Sequence, residues 1–118
     1  MCLITNNYIP YTAEHDITCY KIYVYVNGKY VSPYQNCDMP GINELVTTEL
    51  QRSGDFYIEK GFHSFVNSID AKLYSYKGRD SIVVSCIIPK GAKYYKGFFE
   101  NCESYCSDSI ILKEEICV

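Results

Sequence analysis

The run Ser81-Ile82-Val83-Val84-Ser85-Cys86-Ile87-Ile88 constrains this chain more than any other stretch. Its apolar, mostly β-branched residues follow one another without the polar alternation of a half-exposed strand. Successive side chains on a strand point to opposite faces, so such a run needs apolar cover on both sides. The chain must therefore build a sheet with this strand inside it. A second strand reads over Asp16–Val26. Tyr20, Ile22, Val24 and Val26 fall on one of its faces, and Cys19, Lys21, Tyr23 and Tyr25 on the other. Asn27-Gly28 follows at once and signals a two-residue hairpin, because a type I′ turn holds both central residues at positive φ. Lys29–Ser32 returns, and Pro33 stops it.

Further strands read over Asp55–Glu59, Phe62–Val66, Ala92–Lys96 and Ile110–Val118, with turns at Lys60-Gly61 and Pro89-Lys90-Gly91. Asn67 or Ser68 caps a helix over about 67–77, with Ile69 and Leu73 four apart on one face and Gly78 at the C′ position. Tyr34–Ser53 carries mixed signals. Ile42, Leu45, Val46 and Leu50 fit a helical face, while Thr47 and Thr48 favour strand, so the segment is a second short helix or irregular, ended by Gly54. With 118 residues there is material for one core only. The expected fold is α+β: one β-rich domain over residues 1–118, with a mixed or antiparallel sheet, one helix and room for a second short one.

Thirteen tyrosines and no tryptophan suit such a fold, since tyrosine favours strands and half-buried positions. They also offer material for a recognition surface. A net charge of −3 opposes broad nucleic-acid binding, which needs an electropositive footprint. Met1–Tyr11 has neither the basic start nor the apolar run of a signal peptide, no stretch is apolar enough to span a membrane, and no Asn-x-Ser/Thr acceptor occurs. Seven cysteines are an odd count, and Cys19 and Cys86 sit inside strand patterns. Reduced thiols in a cytoplasmic protein are expected. Cys102 and Cys106 form a single close pair, with Cys117 and His15 or His63 as the remaining metal-ligand types. Zinc sites show two such pairs, so neither metal nor cofactor is expected.

No catalytic set emerges. His63 and Ser64 are neighbours on a strand and point apart, as do Glu114 and Glu115. Pro89–Gly97 is more distinctive: Lys90, Lys93 and Lys96 recur every three residues around Tyr94 and Tyr95. Tyrosine faces stack on flat rings and lysines meet phosphate. The competing reading is an edge strand guarded by lysine against aggregation.

Gly61-Phe62-His63-Ser64-Phe65, the segment Ile87–Tyr95, and Ser107-Asp108-Ser109-Ile110-Ile111-Leu112 resemble small uncharacterised proteins of gut anaerobes and their bacteriophages. The resemblance covers the last half of the chain and the Cys19-Tyr20-Lys21 strand. More remotely, the order of these phrases is similar to that of ADP-ribosyltransferases. That family has an arginine on an early strand, a serine-bearing strand before a helix, an Ile-Pro-Lys-Gly turn and two glutamates before a last strand. The resemblance places Lys21 at the arginine, Ser64 in the serine strand, and Ser107 and Ser109 at the glutamates. Lysine lacks the forked contact of arginine, and serine cannot carry a stabilising charge. It therefore implies a ligand pocket without the transferase chemistry.

The expectation is a non-enzymatic, phage-linked accessory binder of a nucleotide-like small molecule or a host protein, with no membrane partner. Lys21, His63, Ser64, Lys90, Lys93 and Tyr94 form its ligand-binding set: lysines for charge, His63 and Ser64 for hydrogen bonds, Tyr94 for stacking. The alternatives are a transferase or hydrolase with an unrecognised site, and an assembly protein forming homo-oligomers through its tyrosine-rich strands.

Overall fold

The computed structural model describes residues 3–33, 38–75 and 80–116. Among them the chain forms strands β1 (Leu3–Ile4), β2 (Tyr11–Thr12), β3 (Ile17–Val26), β4 (Lys29–Val31), β5 (Leu45–Thr47), β6 (Gln51–Ser53), β7 (Tyr57–Lys60) and β8 (Phe62–Phe65). Helix α1 (Ser68–Leu73) follows, then β9 (Ser81–Ile88), β10 (Lys93–Phe99), β11 (Cys102–Ser107) and β12 (Ser109–Ile116). The named strands form one antiparallel sheet in the order β5-β12-β9-β3-β8-β11-β10-β1-β7-β6, with β2 added to β10 and β4 to β3.

The apolar run lies where its composition requires. Strand β9 pairs with β3 on one side and β12 on the other. Val84 and Cys86 on one face pack with Cys19, Tyr23, Ile110 and Leu112. Val83 on the other packs with Ile22, Phe65 and Ala71. The β3–β4 hairpin turns through Asn27 and Gly28, both at positive φ (51° and 86°), as a type I′ turn demands.

Strands β3 and β8 share a single register pair, Tyr20 with Phe65, and there the sheet divides into two halves. The second half rolls up. Only Gly61 separates β7 from β8 in sequence, yet β11, β10 and β1 lie between them in the sheet. Two chain steps span at most about 7 Å, so β7 must curl back to meet β8. Leu3, Ile58, Tyr95 and Cys106 fill the inside of this curl. At Gly61 a Cβ would lie 2.4 Å from Cys106 Sγ, and at Gly97 a Cβ would lie 2.0 Å from the Ile4 carbonyl oxygen.

Several expectations change. The helix is six residues rather than eleven, so the α+β balance gives way to a β-rich fold with one short helix. Ser75 Oγ donates to the Lys72 carbonyl (2.8 Å) and draws off the helical ladder, while the Tyr74 ring stacks on Phe65 at 5.9 Å. Gly78 lies outside the described residues. Ile69 and Leu73 do share a face, but it is the outer one (68% and 73% exposed). The helix docks through Ala71, and positions two residues either side of it point about 200° away. Over Tyr34–Ser53, residues 34–37 lie outside the described set. The rest forms no helix but adds β5 to β12 and β6 to β7. Strand β10 is not an edge either, since β11 pairs on one side and β1 and β2 on the other. Among the described residues no helix is long and apolar enough to cross a membrane.

Candidate functional site

The structure separates the six expected residues into three places. Lys21 and Ser64 lie in the core. Lys21, 6% exposed, donates from Nζ to the His63 carbonyl oxygen (2.7 Å), and its Nζ stands 5.7 Å from the Tyr23 ring centroid. A buried ammonium needs such partners to offset lost hydration. A hydrogen bond from the Cys86 thiol holds the Cys19 thiol below its ordinary pKa, with Ser64 and the Lys21 ammonium adding to the effect. The same contact and burial push Cys86 up. The buried hydroxyls of Ser64 and Ser107 have no partner at hydrogen-bond geometry among the described residues.

His63 points the other way, into the curl, as strand alternation requires. Its Nδ1 lies 3.2 Å from the Gly61 carbonyl and 3.9 Å from Cys106 Sγ, and its Nε2 lies 3.3 Å from the Ile58 carbonyl. Cysteine beside histidine is the arrangement of a nucleophile and its base. Here Cys106 is 0% exposed, so its sulfur lies away from solvent, packed inside the curl. Burial, aided by the Lys21 ammonium, lowers the His63 pKa to about 4, and the imidazole is neutral at pH 7.

This makes folding sensitive to acid. Between pH 6.5 and about 4 the unfolded chain takes up a proton that the folded ring refuses, so stability falls as pH drops through that window. The loss reaches about 2–3 kcal/mol by roughly pH 4.5 and is absent above neutrality. Urea unfolding at both ends of the window should show a pH dependence smaller by that amount in His63→Gln. Parallel curves for the two proteins would contradict the assignment.

Lys90, Lys93 and Tyr94 lie on the surface. Lys90 is exposed in its turn, where its backbone N–H donates to Asp16 Oδ1 (2.9 Å). Tyr94 is paired with Tyr11 of β2 and with Ser107 of β11. The same registers put Tyr105 on that face, and the three rings form a chain. Tyr11 and Tyr94 are 5.5 Å apart and tilted, and Tyr94 and Tyr105 are 5.6 Å apart and edge-on. They wall a cleft of about 290 Å³ together with Thr12, Glu14 and His15. Lys93 does not line the cleft; its Nζ donates to Thr12 Oγ1. His15 Nδ1 lies 3.0 Å from the Asp16 carbonyl, and donating there leaves Nε2 as an acceptor. Burial, with Tyr94 next to it, raises the Tyr105 pKa, so its phenol remains a neutral donor.

Sequence reasoning finds Lys93 and Tyr94 but not Tyr11, Tyr105, Glu14 or His15. The tyrosine count hints at Tyr11 and Tyr105, and His15 is noted only as a metal-ligand type, because the cluster depends on strand register. Among the described residues no three His, Cys, Asp or Glu side chains gather around a metal position. Cys102 and Cys106 stand four positions apart on β11, about 13 Å along a strand, too far to share an ion. Cys117 lies outside the described residues. No protein-family model, curated protein or solved structure matches the chain.

Proposed function

We propose that this protein is a non-enzymatic binding module that takes a flat, ring-bearing small molecule of nucleotide type in the Tyr11–Tyr94–Tyr105 cleft. The observation that carries this reading is the convergence of three tyrosines from three strands on one cleft that Glu14 and His15 also line. The tyrosines supply stacking faces, Glu14 and His15 address the edge of a base, and Lys93 and Lys90 meet phosphate. At about 290 Å³ the cleft is at the lower limit of ligand pockets, roughly 300–1,000 Å³, and suits one nucleoside. The free thiols of Cys19, Cys86, Cys102 and Cys106 support a cytoplasmic setting, and the resemblance to phage-associated proteins supports an accessory role.

The remote likeness to ADP-ribosyltransferases adds no chemistry to this reading. Ser107 is buried, and Asp108 stands at the corner between β11 and β12 rather than on an alternating strand. Its Oδ1 accepts from the Lys93 N–H (3.1 Å) and Ser109 Oγ (3.0 Å). Nicotinamide release from NAD is expected at the blank rate. Steady release abolished by Asp108→Asn would make the protein an enzyme.

Calorimetric titration with purine and pyrimidine mononucleotides tests the reading. Stacking on one aromatic side chain is worth about 1–3 kcal/mol, so Tyr94→Ala should weaken binding roughly 5- to 150-fold. Tyr25→Ala, on an exposed ring of β3, should leave it unchanged. No heat with any mononucleotide at millimolar concentration would end the proposal.

A further inference from the structure

Tyr11 lines a second cleft. Strand β10 pairs with β2 at Thr12 and Tyr11, and with β1 at Ile4, but residues 5–10 between them leave the ladder. There a space of about 380 Å³ opens, lined by Ile4, Asn6, Asn7, Tyr11, Lys96 and Phe98. Tyr94, Lys96 and Phe98 alternate along β10 and so share a face, and register adds Tyr11 and Tyr105 to it. The two clefts therefore open on one side of the sheet, with Tyr11 as their common wall.

The second cleft shows apolar side chains to solvent. Ile4, Tyr11 and Phe98 are each about half exposed. Phe98 supplies a flat face and Asn6, also exposed, an amide for a base edge. Lys96 lies between Tyr94 and Phe98, placing a cation midway between the clefts. Its partner Glu103 stands 3.8 Å away, both side chains about half exposed, and a loose surface pair of this kind yields readily to a better anion.

We infer that the ligand is a dinucleoside phosphate, one base in each cleft on either side of Tyr11, with the linking phosphate at Lys96. The inference rests on the nucleotide reading of the tyrosine cleft. Neither cleft has room for two nucleosides, whereas the pair, sharing the Tyr11 wall, does.

The four mononucleotides and the four matching homodinucleoside monophosphates are titrated calorimetrically into the full chain. The best dinucleoside monophosphate should bind at least roughly tenfold tighter than its mononucleotide, as a second stacked base provides. It carries less negative charge, so the gain cannot be general electrostatic attraction. Phe98→Ala should remove that advantage and leave mononucleotide affinity unchanged. Lys96→Gln should weaken only the dinucleoside phosphate, with a shallower salt dependence. Mononucleotide binding with no dinucleoside advantage, or an advantage that survives Phe98→Ala, would overturn the two-cleft inference alone. No mononucleotide binding would overturn it together with the reading beneath it. Circular dichroism of the two variants, both altered at exposed positions, confirms that they fold.

Discussion

Val83→Asp is expected to yield no soluble, folded protein. Val83 is fully buried on β9, where its register partners are Ile22 of β3 and Ile116 of β12, and Phe65 and Ala71 cover it. A carboxylate placed there would lie in a cluster whose described members are apolar or aromatic side chains and one thiol. An uncompensated buried charge costs several kcal/mol, against a total stability of roughly 5–15 kcal/mol for an ordinary domain. Val83→Ala only removes two methyl groups, should cost about 2 kcal/mol and should fold. The neighbouring substitution is more instructive than sequence alone suggests. Val84 is equally buried, but Lys21 stands directly opposite it on the same face. Val84→Asp would set a carboxylate beside that ammonium and recover part of its desolvation cost. Soluble yield and melting temperature should therefore rank Val83→Asp below Val84→Asp. A Val83→Asp protein that melts like the wild type would show that β9 is not the interior strand.

Gly97→Ala is the second large effect. The added Cβ would lie 2.0 Å from the Ile4 carbonyl oxygen, 2.9 Å from its carbon and 3.1 Å from Thr5 Cβ. The first two are backbone atoms, which cannot rotate away as a long side chain would. Strand β1 must then leave β10. Detachment exposes Leu3, a fully buried side chain worth about 2–3 kcal/mol, and breaks the bond from Thr5 Oγ1 to the Lys96 carbonyl (2.8 Å), worth about 1 kcal/mol. A loss of about 3–4 kcal/mol is expected in urea unfolding, with a lower midpoint. A change below about 1 kcal/mol would mean that β1 does not close the curl, since relief of such a backbone clash alone exceeds that.

What can be read from the residues alone depends on how local the information is. The β9 run declares itself because two-sided burial leaves its mark at every position, and the Asn27-Gly28 turn because positive φ is a demand on two adjacent residues. Strands β5 and β6 are the opposite case. Each is three residues long, and what holds them is β12 and β7, so a helix-like spacing of Ile42, Leu45, Val46 and Leu50 is as good a local description. The helix is misjudged in length and in face for a related reason. Ala71 decides which side is buried, and an alanine looks neutral until a sheet lies against it.

The candidate site divides in the same way. Tyr94 and Lys93 stand out as a local phrase, but of the two only Tyr94 lines the cleft, since neighbours on β10 point to opposite faces. Lys21 and His63 do meet, but through an ammonium and a backbone carbonyl 42 residues apart, in the interior. His63 finds Cys106 only because β8 and β11 pair in one register, and a shift of one residue would separate them. Tyr11 joins Tyr94 by the same kind of accident of sequence, through a strand only two residues long.

The central claim is that the tyrosine face of β2, β10 and β11 receives a nucleotide-type ring. Titration of isotopically labelled protein with the best-bound mononucleotide, followed by amide and aromatic chemical-shift changes, tests it most directly. The shifts are predicted to centre on Tyr11, Tyr94, Tyr105 and His15, to extend to the phosphate-binding Lys90, and to spare the helix side around Tyr20 and Ile69. Changes centred on Tyr20, Asn67 and Ile69, with the three tyrosines unmoved, would contradict it.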